Sequence, residues 1–319
     1  MTEAGEALHG ELRDELVHAM QRVHELAGRD LTLVPLSGGI TNRNFRVDVG
    51  DPADPTERFV IRLGGNDTHL LGISREVEHA ATVAAAGVGV GAEVLAFLRP
   101  EGYLVTRFIV GTPMADLDVH RPDVIARVAD SVRRFHEGPA IPGLFIPLRV
   151  CEVYRALAEE RSVPVPPEYG LAQAIGRRIE LALIVNPLEL RPCHNDFLPG
   201  NLIDDGARMR IVDWEYAGMG DPFFDLGNFS INNDLTPDEE EAFLAAYDGT
   251  PAPRADRLAR LVLFRVVSDF REAMWGVLQQ GISTLDFDFR GYAADHFERL
   301  LANAATPRFE HALDEVADA

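Results

Sequence analysis

The amino-acid sequence predicts an α+β fold of two lobes, with a β-rich N-terminal lobe and a mainly helical C-terminal lobe. The chain has 319 residues, which is more than one hydrophobic core usually holds, so two bodies are expected. Strand-like runs dominate the first third of the sequence, whereas helical periodicity dominates the rest. We place the change near residue 110, which gives lobes of residues 1–110 and 111–319.

The N-terminal lobe is predicted to contain two helices and several strands. Apolar residues recur at helical spacing over residues 7–26 and again over residues 73–86. A strict alternation of apolar and polar residues over 45–49 is typical of a half-buried strand. Strands are predicted at residues 31–36, 45–49, 59–65, 92–98 and 102–110.

The C-terminal lobe is predicted to be helical apart from two short apolar runs. These runs, residues 202–205 and 210–214, lie on either side of a turn at Gly206. Helical patterning covers residues 122–137, 150–160, 170–184, 237–247, 254–280 and 291–303.

Composition narrows the partners and the compartment. The net charge of −21 argues against binding to nucleic acid or anionic membranes, because both require a basic surface. No uncharged apolar run approaches the ~18 residues of a membrane span. With only Cys151 and Cys193, no disulfide framework or cysteine zinc site is expected. The acidic start does not resemble a secretory signal, so we expect a cytoplasmic protein, with a homodimer left open.

The segment CHNDFLPGN contains the first group of candidate catalytic residues. Asn201 follows Asp196 by five positions, the D-x-x-x-x-N spacing of a kinase catalytic loop. Transfer of a phosphoryl group depends on positioning and on charge neutralisation. An aspartate that accepts the proton of an attacking hydroxyl and a nearby amide oxygen that binds a metal ion supply both. We therefore predict that Asp196 is the catalytic base and that Asn201 is a metal ligand.

The segment RIVDWEYAG supplies candidate carboxylates for the same metal ion. Asp213 ends a short apolar run twelve positions after Asn201, which leaves room for a hairpin that brings the two together. A carboxylate at this point is a hard oxygen ligand suited to Mg²⁺. Glu215 is expected to bind a second metal ion or to support the first.

Both motifs resemble the signatures of the aminoglycoside phosphotransferase and choline kinase superfamily. The choline/ethanolamine branch is the most similar: SGGITNRNFRV (37–47) resembles its nucleotide loop and FREAMWGVLQQGISTLDFDFRGYA (270–293) its substrate segment. The resemblance covers roughly residues 30–300. It implies a protein-kinase-like bilobal fold that binds ATP and Mg²⁺ between its lobes.

The resemblance places a nucleotide-binding loop in the predicted turn at residues 37–44. Glycines would let backbone N–H groups approach anionic phosphate oxygens, and nearby hydroxyl and amide groups would add donors. A plain hairpin turn is the alternative interpretation. The residues expected over the ATP phosphates are Ser37, Gly38, Gly39, Thr41 and Asn42.

Further nucleotide contacts follow from the same resemblance. Arg62, in the strand FVIRL, takes the position of the phosphate-binding cation, since a guanidinium can fork to phosphate oxygens. Glu78 is expected to form an ion pair with Arg62, with Glu76 as the competing choice. The backbone from Arg107 to Ile109 is expected to bind the adenine edge at the hinge between the lobes.

Three residues near the motifs are expected to be structural. His194 is predicted to bond the backbone rather than to move protons. Asp225, in DPFFDLGNF, is predicted to brace the catalytic loop, and His136 matches a structural feature of the superfamily.

The resemblance also places Tyr216, Trp275 and Tyr292 in a cage for a cationic headgroup, which aromatic faces attract through cation–π interaction. Core packing is the alternative for each ring. Choline-binding relatives carry another aromatic residue where this chain has Glu272. A carboxylate there can pair with a cationic headgroup or a primary ammonium, or it can be a solvated helix residue. The change makes ethanolamine or another small amino alcohol a candidate beside choline.

The sequence therefore predicts an ATP- and Mg²⁺-dependent kinase that phosphorylates the hydroxyl of a small cationic amino alcohol, choline or ethanolamine. Two alternatives are kept. One is a phosphotransferase acting on an aminoglycoside or another hydroxylated metabolite. The other, of a different class, is a non-catalytic nucleotide-binding regulator.

Overall fold

The computed structural model describes residues 10–36, 42–65 and 68–319. Its N-terminal part consists of two helices and an antiparallel sheet of five strands. In chain order these elements are α1 (Gly10–Gln21), β1 (Leu31–Leu36), β2 (Asn42–Val49), β3 (Glu57–Gly64), α2 (Arg75–Gly87), β4 (Val94–Leu98) and β5 (Tyr103–Arg107). The strand order β1-β2-β3-β5-β4 places β3 at the centre of the sheet.

The central strand β3 separates an apolar face from a charged one. Phe59, Ile61 and Leu63 alternate along the strand and are buried in a core shared with α1. Because side chains alternate across a strand, Arg62 points to the opposite face. There it is paired in register with Asn44 of β2 and Leu104 of β5. The sheet thus presents a buried arginine toward the rest of the molecule.

Helix α2 begins at an N-cap formed by Ser74, whose side chain accepts the N–H of Val77. Its alanines Ala81, Ala84 and Ala85 belong to the hydrophobic core of the C-terminal part. The helix therefore connects the sheet with the helical body, because its apolar face is buried in the larger core.

The C-terminal part is built mainly from eight helices among the described residues. They are α3 (Pro122–His136), α4 (Pro147–Glu160), α5 (Glu168–Leu183), α6 (Phe223–Asn232), α7 (Pro237–Asp248), α8 (Ala255–Ile282), α9 (Phe289–Ala304) and α10 (Pro307–Asp318). Helix α8 is the centre of this body, and almost all its residues from Ala259 to Gln279 are buried. In the part of the chain that the structure describes, no helix combines the length and apolar character needed to span a membrane.

Two small sheets position the loops between α5 and α6. Their strands are β6 (Thr112–Pro113), β7 (Arg191–Cys193), β8 (Leu202–Asp204), β9 (Met209–Ile211) and β10 (Gly218–Gly220). Strands β8 and β9 form the hairpin with β6 at its edge, and β7 pairs with β10. Because β5 ends at Arg107 and β6 pairs with β8, the sheet gives way to the C-terminal part between these two strands.

Several element predictions require correction. Helix α1 ends at Gln21 rather than at residue 26, because Val23 and Leu26 are buried from turns and so extend the apolar pattern. Strand β2 begins at Asn42, inside the predicted turn at 37–44. The remaining residues of that turn, 37–41, lie outside the described residues.

Elements absent from the prediction have identifiable causes. Helix α6 has only ten residues, and its polar residues Asp225, Asn228 and Ser230 are buried with the apolar ones, so it lacks the exposed polar stripe of a surface helix. Strands β6, β7 and β10 are two or three residues long, too short for alternation to show. Helix α10 did leave a signal, an N-cap at Thr306 followed by Pro307.

Candidate active site

The loop after β7 holds the carboxylate of Asp196 in a fixed orientation. Asn195 adopts a left-handed conformation (φ 64°) that turns the chain immediately before Asp196. The side-chain amide of Asn201 donates to the Asp196 carboxylate at 3.1 Å and to its backbone carbonyl at 2.9 Å. These bonds use the nitrogen of the amide, so the oxygen of Asn201 stays available to another ligand.

Asp225, at the start of α6, holds this loop in place through hydrogen bonds to its backbone. Its two carboxylate oxygens accept the backbone N–H groups of His194 and Asn195, each at 2.7 Å. The ring of His136 lies 2.9 Å from the same carboxylate, and its other nitrogen lies 2.8 Å from the hydroxyl of Tyr247. Asp225 and His136 thus occupy the structural positions that the sequence predicts for them.

His136, Cys193 and Asp225 are close enough to one another to suggest a metal site, but their polar atoms are already in use. The Cys193 thiol donates to the carbonyl of Arg191, and burial raises its pKa well above the usual value. A metal ion needs the thiolate. The group is therefore part of the support of the catalytic loop.

His194 links the loop to the neighbouring hairpin. Its Nδ1 accepts the backbone N–H of Asp196 at 3.2 Å, so its Nε2 carries the proton that is donated to the carbonyl of Val212 at 2.9 Å. Burial lowers the pKa of His194, which favours this neutral form. The contacts are those of a structural histidine that joins the two motifs.

The β8–β9 hairpin brings Asn201 next to Asp213. Leu202 pairs with Ile211, and the N–H of Val212 donates to the carbonyl of Asn201 at 3.0 Å. Asp213 itself has φ 63°, a strained conformation for a residue other than glycine and one that is common at functional sites. The turn points its carboxylate into the cleft between the sheet and the helical body.

Buried carboxylates accumulate beside Asp213. Burial, together with the charges of Glu215 and Glu78, raises the pKa of Asp213 well above its usual range. Burial and Glu78 likewise raise the pKa of Glu215. Mutual repulsion of this kind is relieved by a divalent cation, and Mg²⁺ prefers such oxygen donors. The carboxylates of Asp213 and Glu215, with the amide oxygen of Asn201, are a donor set that fits Mg²⁺.

Arg62 forms an ion pair with Glu78 of α2. Its Nη2 lies 2.5 Å from Glu78 Oε1, and the two side chains are 8% and 1% exposed. Glu76, the competing candidate, is 60% exposed and pairs with Arg99 instead. A helix places residues two positions apart on different faces, and here only the face with Glu78 is turned toward Arg62.

Arg75 is a member of this network that the sequence analysis does not include. Its guanidinium donates to Glu78 at 2.8 Å and to Glu215 at 3.4 Å. A Cβ atom at Gly64 would lie 2.9 Å from this guanidinium, so a larger residue there would require the Arg75 side chain to shift. The available signal was the i, i+3 spacing of Arg75 and Glu78 on one helix.

Asn42 has a different environment from the one expected. Its side chain is buried, its amide donates to Glu215 at 2.9 Å, and its oxygen accepts from Arg75 and Arg62. These bonds tie the first residue of β2 to the carboxylates rather than leaving the amide free for a phosphate. The other predicted loop residues lie outside the described residues: Ser37, Gly38, Gly39 and Thr41.

Among the predicted hinge residues, only Ile109 keeps a backbone N–H without a partner in the described part of the chain. The backbone N–H of Arg107 donates to the carbonyl of Glu93, and that of Phe108 donates to Arg58. The Arg107 side chain lies at the surface and pairs with Glu93 and Glu57. The backbone N–H groups of Arg107 and Phe108 therefore already have partners within the protein. The N–H of Ile109 makes no hydrogen bond with another described residue.

The three predicted cage residues do lie together. Trp275 on α8 donates its indole N–H to the hydroxyl of Tyr216 at 3.1 Å. The ring of Tyr292 on α9 stands edge-on to Trp275, with a centroid distance of 5.6 Å. Tyr216 and Trp275 are each 7% exposed. The cluster is nearly closed, with its polar groups directed at one another.

A buried arginine, also overlooked in the sequence, connects this cluster with the catalytic loop. Arg271 donates to the Asp196 carboxylate at 3.2 Å and to Glu272 at 2.7 Å. The other oxygen of Glu272 accepts the hydroxyl of Tyr292 at 2.7 Å. Glu272 is therefore neither solvated nor free. Burial raises its pKa, but Arg271, His296 and the Tyr292 hydroxyl outweigh this and the pKa is lowered overall.

Neighbouring groups shift the pKa of the Asp196 carboxyl in opposite directions. Its pKa is raised to about 7 overall: burial raises it most, Arg271 lowers it, and the carboxylates of Glu272 and Glu215 raise it further. A general base works best when its pKa lies near the working pH. Asp196 thus combines a fixed orientation with the basicity that accepting a hydroxyl proton requires.

A cavity of about 390 Å³ opens next to these residues, between the start of α2, the segment before α4, and the loop after Asp213. Its walls are mostly apolar. Glu215 and Tyr216 form one side, and Tyr154 supports the cavity by donating its hydroxyl to the carbonyl of Leu71 at 3.0 Å. The cavity lies within the range of small-molecule sites.

Comparison with known proteins agrees with this geometry. Residues 32–259 match the phosphotransferase enzyme family. A solved choline/ethanolamine kinase family protein from Mesorhizobium loti is 30% identical, with a TM-score of 0.79 over 96% of this chain and 99% of that one. The probable ethanolamine kinase A of Dictyostelium discoideum is 28% identical over 85% of this chain and 84% of its own length. Protein LicA of Haemophilus influenzae is 25% identical over 67% of this chain, a match that spans 62% of LicA.

The match to the phosphotransferase family covers most of the chain and includes both motif loops, and the Mesorhizobium loti protein matches almost end to end. The chain therefore belongs to the phosphotransferase enzyme family, in its choline/ethanolamine kinase branch, and is a phosphotransferase of protein-kinase-like fold with an alcohol acceptor.

Proposed function

We propose that this enzyme transfers the γ-phosphoryl group of ATP, with Mg²⁺, to the hydroxyl of a small amino alcohol of the class that includes choline and ethanolamine. The observation that carries the proposal is the convergence of Asp196 and Asn201 with the buried carboxylates of Asp213 and Glu215. Phosphoryl transfer needs little more than a positioned hydroxyl and neutralised phosphate charge.

The roles follow from the contacts. Asp196 orients the acceptor hydroxyl and takes its proton as the oxygen attacks. Asn201, Asp213 and Glu215 would hold Mg²⁺, which when bound neutralises charge on the phosphates. Arg62, fixed by Glu78, offers a guanidinium to the phosphate oxygens.

The remaining nucleotide contacts are proposed from the sequence and the hinge. The free N–H of Ile109 would bind the adenine edge. The loop that covers the phosphates would be formed by Ser37, Gly38, Gly39 and Thr41.

The acceptor end of the site supports a small amine-bearing alcohol. The aromatic rings of Tyr216, Trp275 and Tyr292 and the carboxylate of Glu272 form one cluster, which Arg271 connects with Asp196. Aromatic faces and carboxylates both favour cations. The relatives named as ethanolamine kinases support the same class of substrate.

A second candidate acceptor is a larger alcohol with an apolar part, because the neighbouring cavity of about 390 Å³ is far larger than ethanolamine requires. An aminoglycoside fits this cavity poorly. Such a polycation needs several carboxylates, and the cavity walls within the described residues contain one, that of Glu215.

The test is an ATP-consumption assay with Mg²⁺ against ethanolamine, choline, N-alkylated amino alcohols and aminoglycosides. The proposal expects saturable turnover of at least one small amino alcohol, with the phosphorylated product identified by mass spectrometry. Turnover of an aminoglycoside alone would refute the proposed acceptor, and ATP hydrolysis without any phosphorylated alcohol would refute the transfer.

A further inference from the structure

The aromatic face that a cationic headgroup would need at Tyr216 is covered by a cation of the protein itself. The guanidinium carbon of Arg271 lies 4.4 Å from the centroid of the Tyr216 ring, well within the ≈ 6 Å range of cation–π attraction. Arg271 is 1% exposed, so this is a packed contact of the interior. Arg271 therefore occupies the position over the Tyr216 ring that the cation of an acceptor would otherwise take.

Hydrogen bonds hold Arg271 in that place from two sides. Its Nη1 donates to Asp196 and to Glu272, at 3.2 and 2.7 Å. Its Nε and Nη2 have no hydrogen-bond partner among the described residues, which leaves the Tyr216 ring as a compensating partner for this side of the guanidinium. Moving Arg271 away would remove the cationic partner of the buried Glu272 and of the partly buried Asp196, which is strongly unfavourable for Glu272.

The neighbouring rings leave a trimethylammonium group no comparable surface. The hydroxyl of Tyr216 is bonded to Trp275, and Tyr292 is fixed edge-on to Trp275 by its bond to Glu272. A trimethylammonium group has no N–H donor, so it cannot take over the bonds that Arg271 makes to Asp196 and Glu272. Displacing the guanidinium would therefore exchange hydrogen-bonded charge pairs for contacts without hydrogen bonds.

An amine with N–H groups has a different option. Each oxygen of Glu272 accepts one hydrogen bond, from Arg271 and from Tyr292, whereas a carboxylate can accept about four. A primary or secondary ammonium can share this carboxylate without expelling either donor.

We infer that Arg271 is a specificity-determining residue that excludes alcohols with a trimethylammonium headgroup and restricts the acceptor to alcohols whose amine carries N–H donors. This inference rests on the proposed function and narrows it. Arg271 acts by occupying the Tyr216 face, and Glu272 acts by keeping Arg271 there.

The probe is tetramethylammonium, titrated calorimetrically in the presence of the non-hydrolysable nucleotide AMP-PNP and Mg²⁺. The wild type is compared with the double variant Arg271→Met/Glu272→Gln, which removes the guanidinium together with one of its buried partners. We expect at least tenfold tighter binding by the double variant, and loss of that gain when Tyr216→Leu is added. Arg257→Met is the matched control, since Arg257 lies over the Phe223 ring at 4.9 Å outside the site.

The outcomes separate this inference from the proposed function. Tetramethylammonium binding by the wild type as tight as that of the double variant overturns the inference, and so does a double variant with the wild-type circular dichroism spectrum that shows no gain. Where the double variant does not fold, Arg271→Gln, which keeps donors to Asp196 and Glu272, is measured in its place.

Wild-type turnover of choline with kcat/KM at or above that of ethanolamine also overturns the inference but leaves the proposed function intact. Absence of turnover with every amino alcohol refutes the proposed function, while the binding result still decides the role of Arg271.

Discussion

The side-chain amide of Asn201 donates to both the carboxylate and the backbone carbonyl of Asp196, at 3.1 and 2.9 Å. One residue thus fixes the rotation of the carboxylate and the shape of the loop that carries it. Asn201 is also tied to the residue before Asp213, because the N–H of Val212 donates to the carbonyl of Asn201 at 3.0 Å. The proposed base and the proposed metal ligand are therefore joined directly by two hydrogen bonds.

Replacing the proposed base should abolish catalysis without loss of nucleotide binding. An asparagine at position 196 keeps the size of the side chain but cannot accept a proton, and general base catalysis contributes about 10²–10⁴-fold to rate. We expect Asp196→Asn to lower kcat by about that factor and to leave the Kd for ATP within about threefold of wild type. A coupled assay and calorimetry measure the two quantities. Asp286→Asn, at an exposed loop residue, is the control, and retained turnover by Asp196→Asn would remove Asp196 from the base role.

The two glutamates of α2 give a matched pair of variants. Glu78 is buried against Arg62, whereas Glu76 pairs with Arg99 at the surface. Because a hydrogen bond to a charged group contributes about 1.5–3 kcal/mol, we expect Glu78→Gln to raise the KM for ATP at least tenfold. Glu76→Gln should change it by less than about twofold, since exposed ion pairs contribute little. Similar effects of the two substitutions would show that the Arg62–Glu78 pair does not position the phosphates.

Candidate site residues within one motif could be predicted, because a short loop or hairpin fixes the distance between side chains that are only a few positions apart. Asp196 and Asn201 share a short loop, and one hairpin carries Asn201 to Asp213. Arg75 and Arg271 could not be found in this way. Arg75 meets Glu215 across 140 positions and Arg271 meets Asp196 across 75, so their partners depend on how the helices pack.

The fold shows the same division between local and non-local information. Strands with a clear alternation, such as β2 and β3, were predictable to within a few residues. Helix α6 was not, because it has only ten residues and its polar residues, such as Asp225, face partners inside the protein instead of forming an exposed polar stripe. The partners of the Asn42 side chain could not be predicted, because two arginines and a glutamate from other elements converge on it.

Asp225 should prove important for stability as well as for activity. It accepts two backbone N–H groups of the catalytic loop at 2.7 Å each while fully buried. In Asp225→Asn an NH₂ group would face one of these donors, and a buried donor without a partner costs about 1–3 kcal/mol. We expect a decrease of that size in the free energy of unfolding, measured by urea denaturation, together with a lower kcat. Asp295→Asn, on the exposed face of α9, should change neither, and an unaltered unfolding curve for Asp225→Asn would contradict the bracing role.

Binding of Mg²⁺ should stabilise the protein through the crowded carboxylates. A ligand that binds only the folded state stabilises it by about 2.7 kcal/mol when present at about 100 times its Kd. We therefore expect Mg²⁺ with AMP-PNP to raise the Tm above that with AMP-PNP and EDTA, by several degrees. Asp213→Asn should lose most of this metal-dependent increase while its Tm without metal stays equal or rises, because the repulsion with Glu215 and Glu78 is reduced. A metal-dependent increase equal to that of wild type would place the metal ion elsewhere.

Substitutions of Trp275 can distinguish a role in the acceptor pocket from a role in core packing. Its indole donates a hydrogen bond to Tyr216 and is in edge-on contact with Tyr292. If these rings contact the acceptor, Trp275→Ala should raise the KM for the amino alcohol about tenfold or more, in line with a desolvated cation–π contact of about 2 kcal/mol. The KM for ATP should change by less than about threefold, because the proposed nucleotide contacts, Arg62 and Ile109 among them, do not include Trp275. Trp275→Phe loses the hydrogen bond to Tyr216 but keeps an aromatic face, so it should recover most of the acceptor affinity that Trp275→Ala loses. A parallel rise in both KM values, accompanied by a lower Tm in Trp275→Ala, would show that the indole contributes only packing to the helical core.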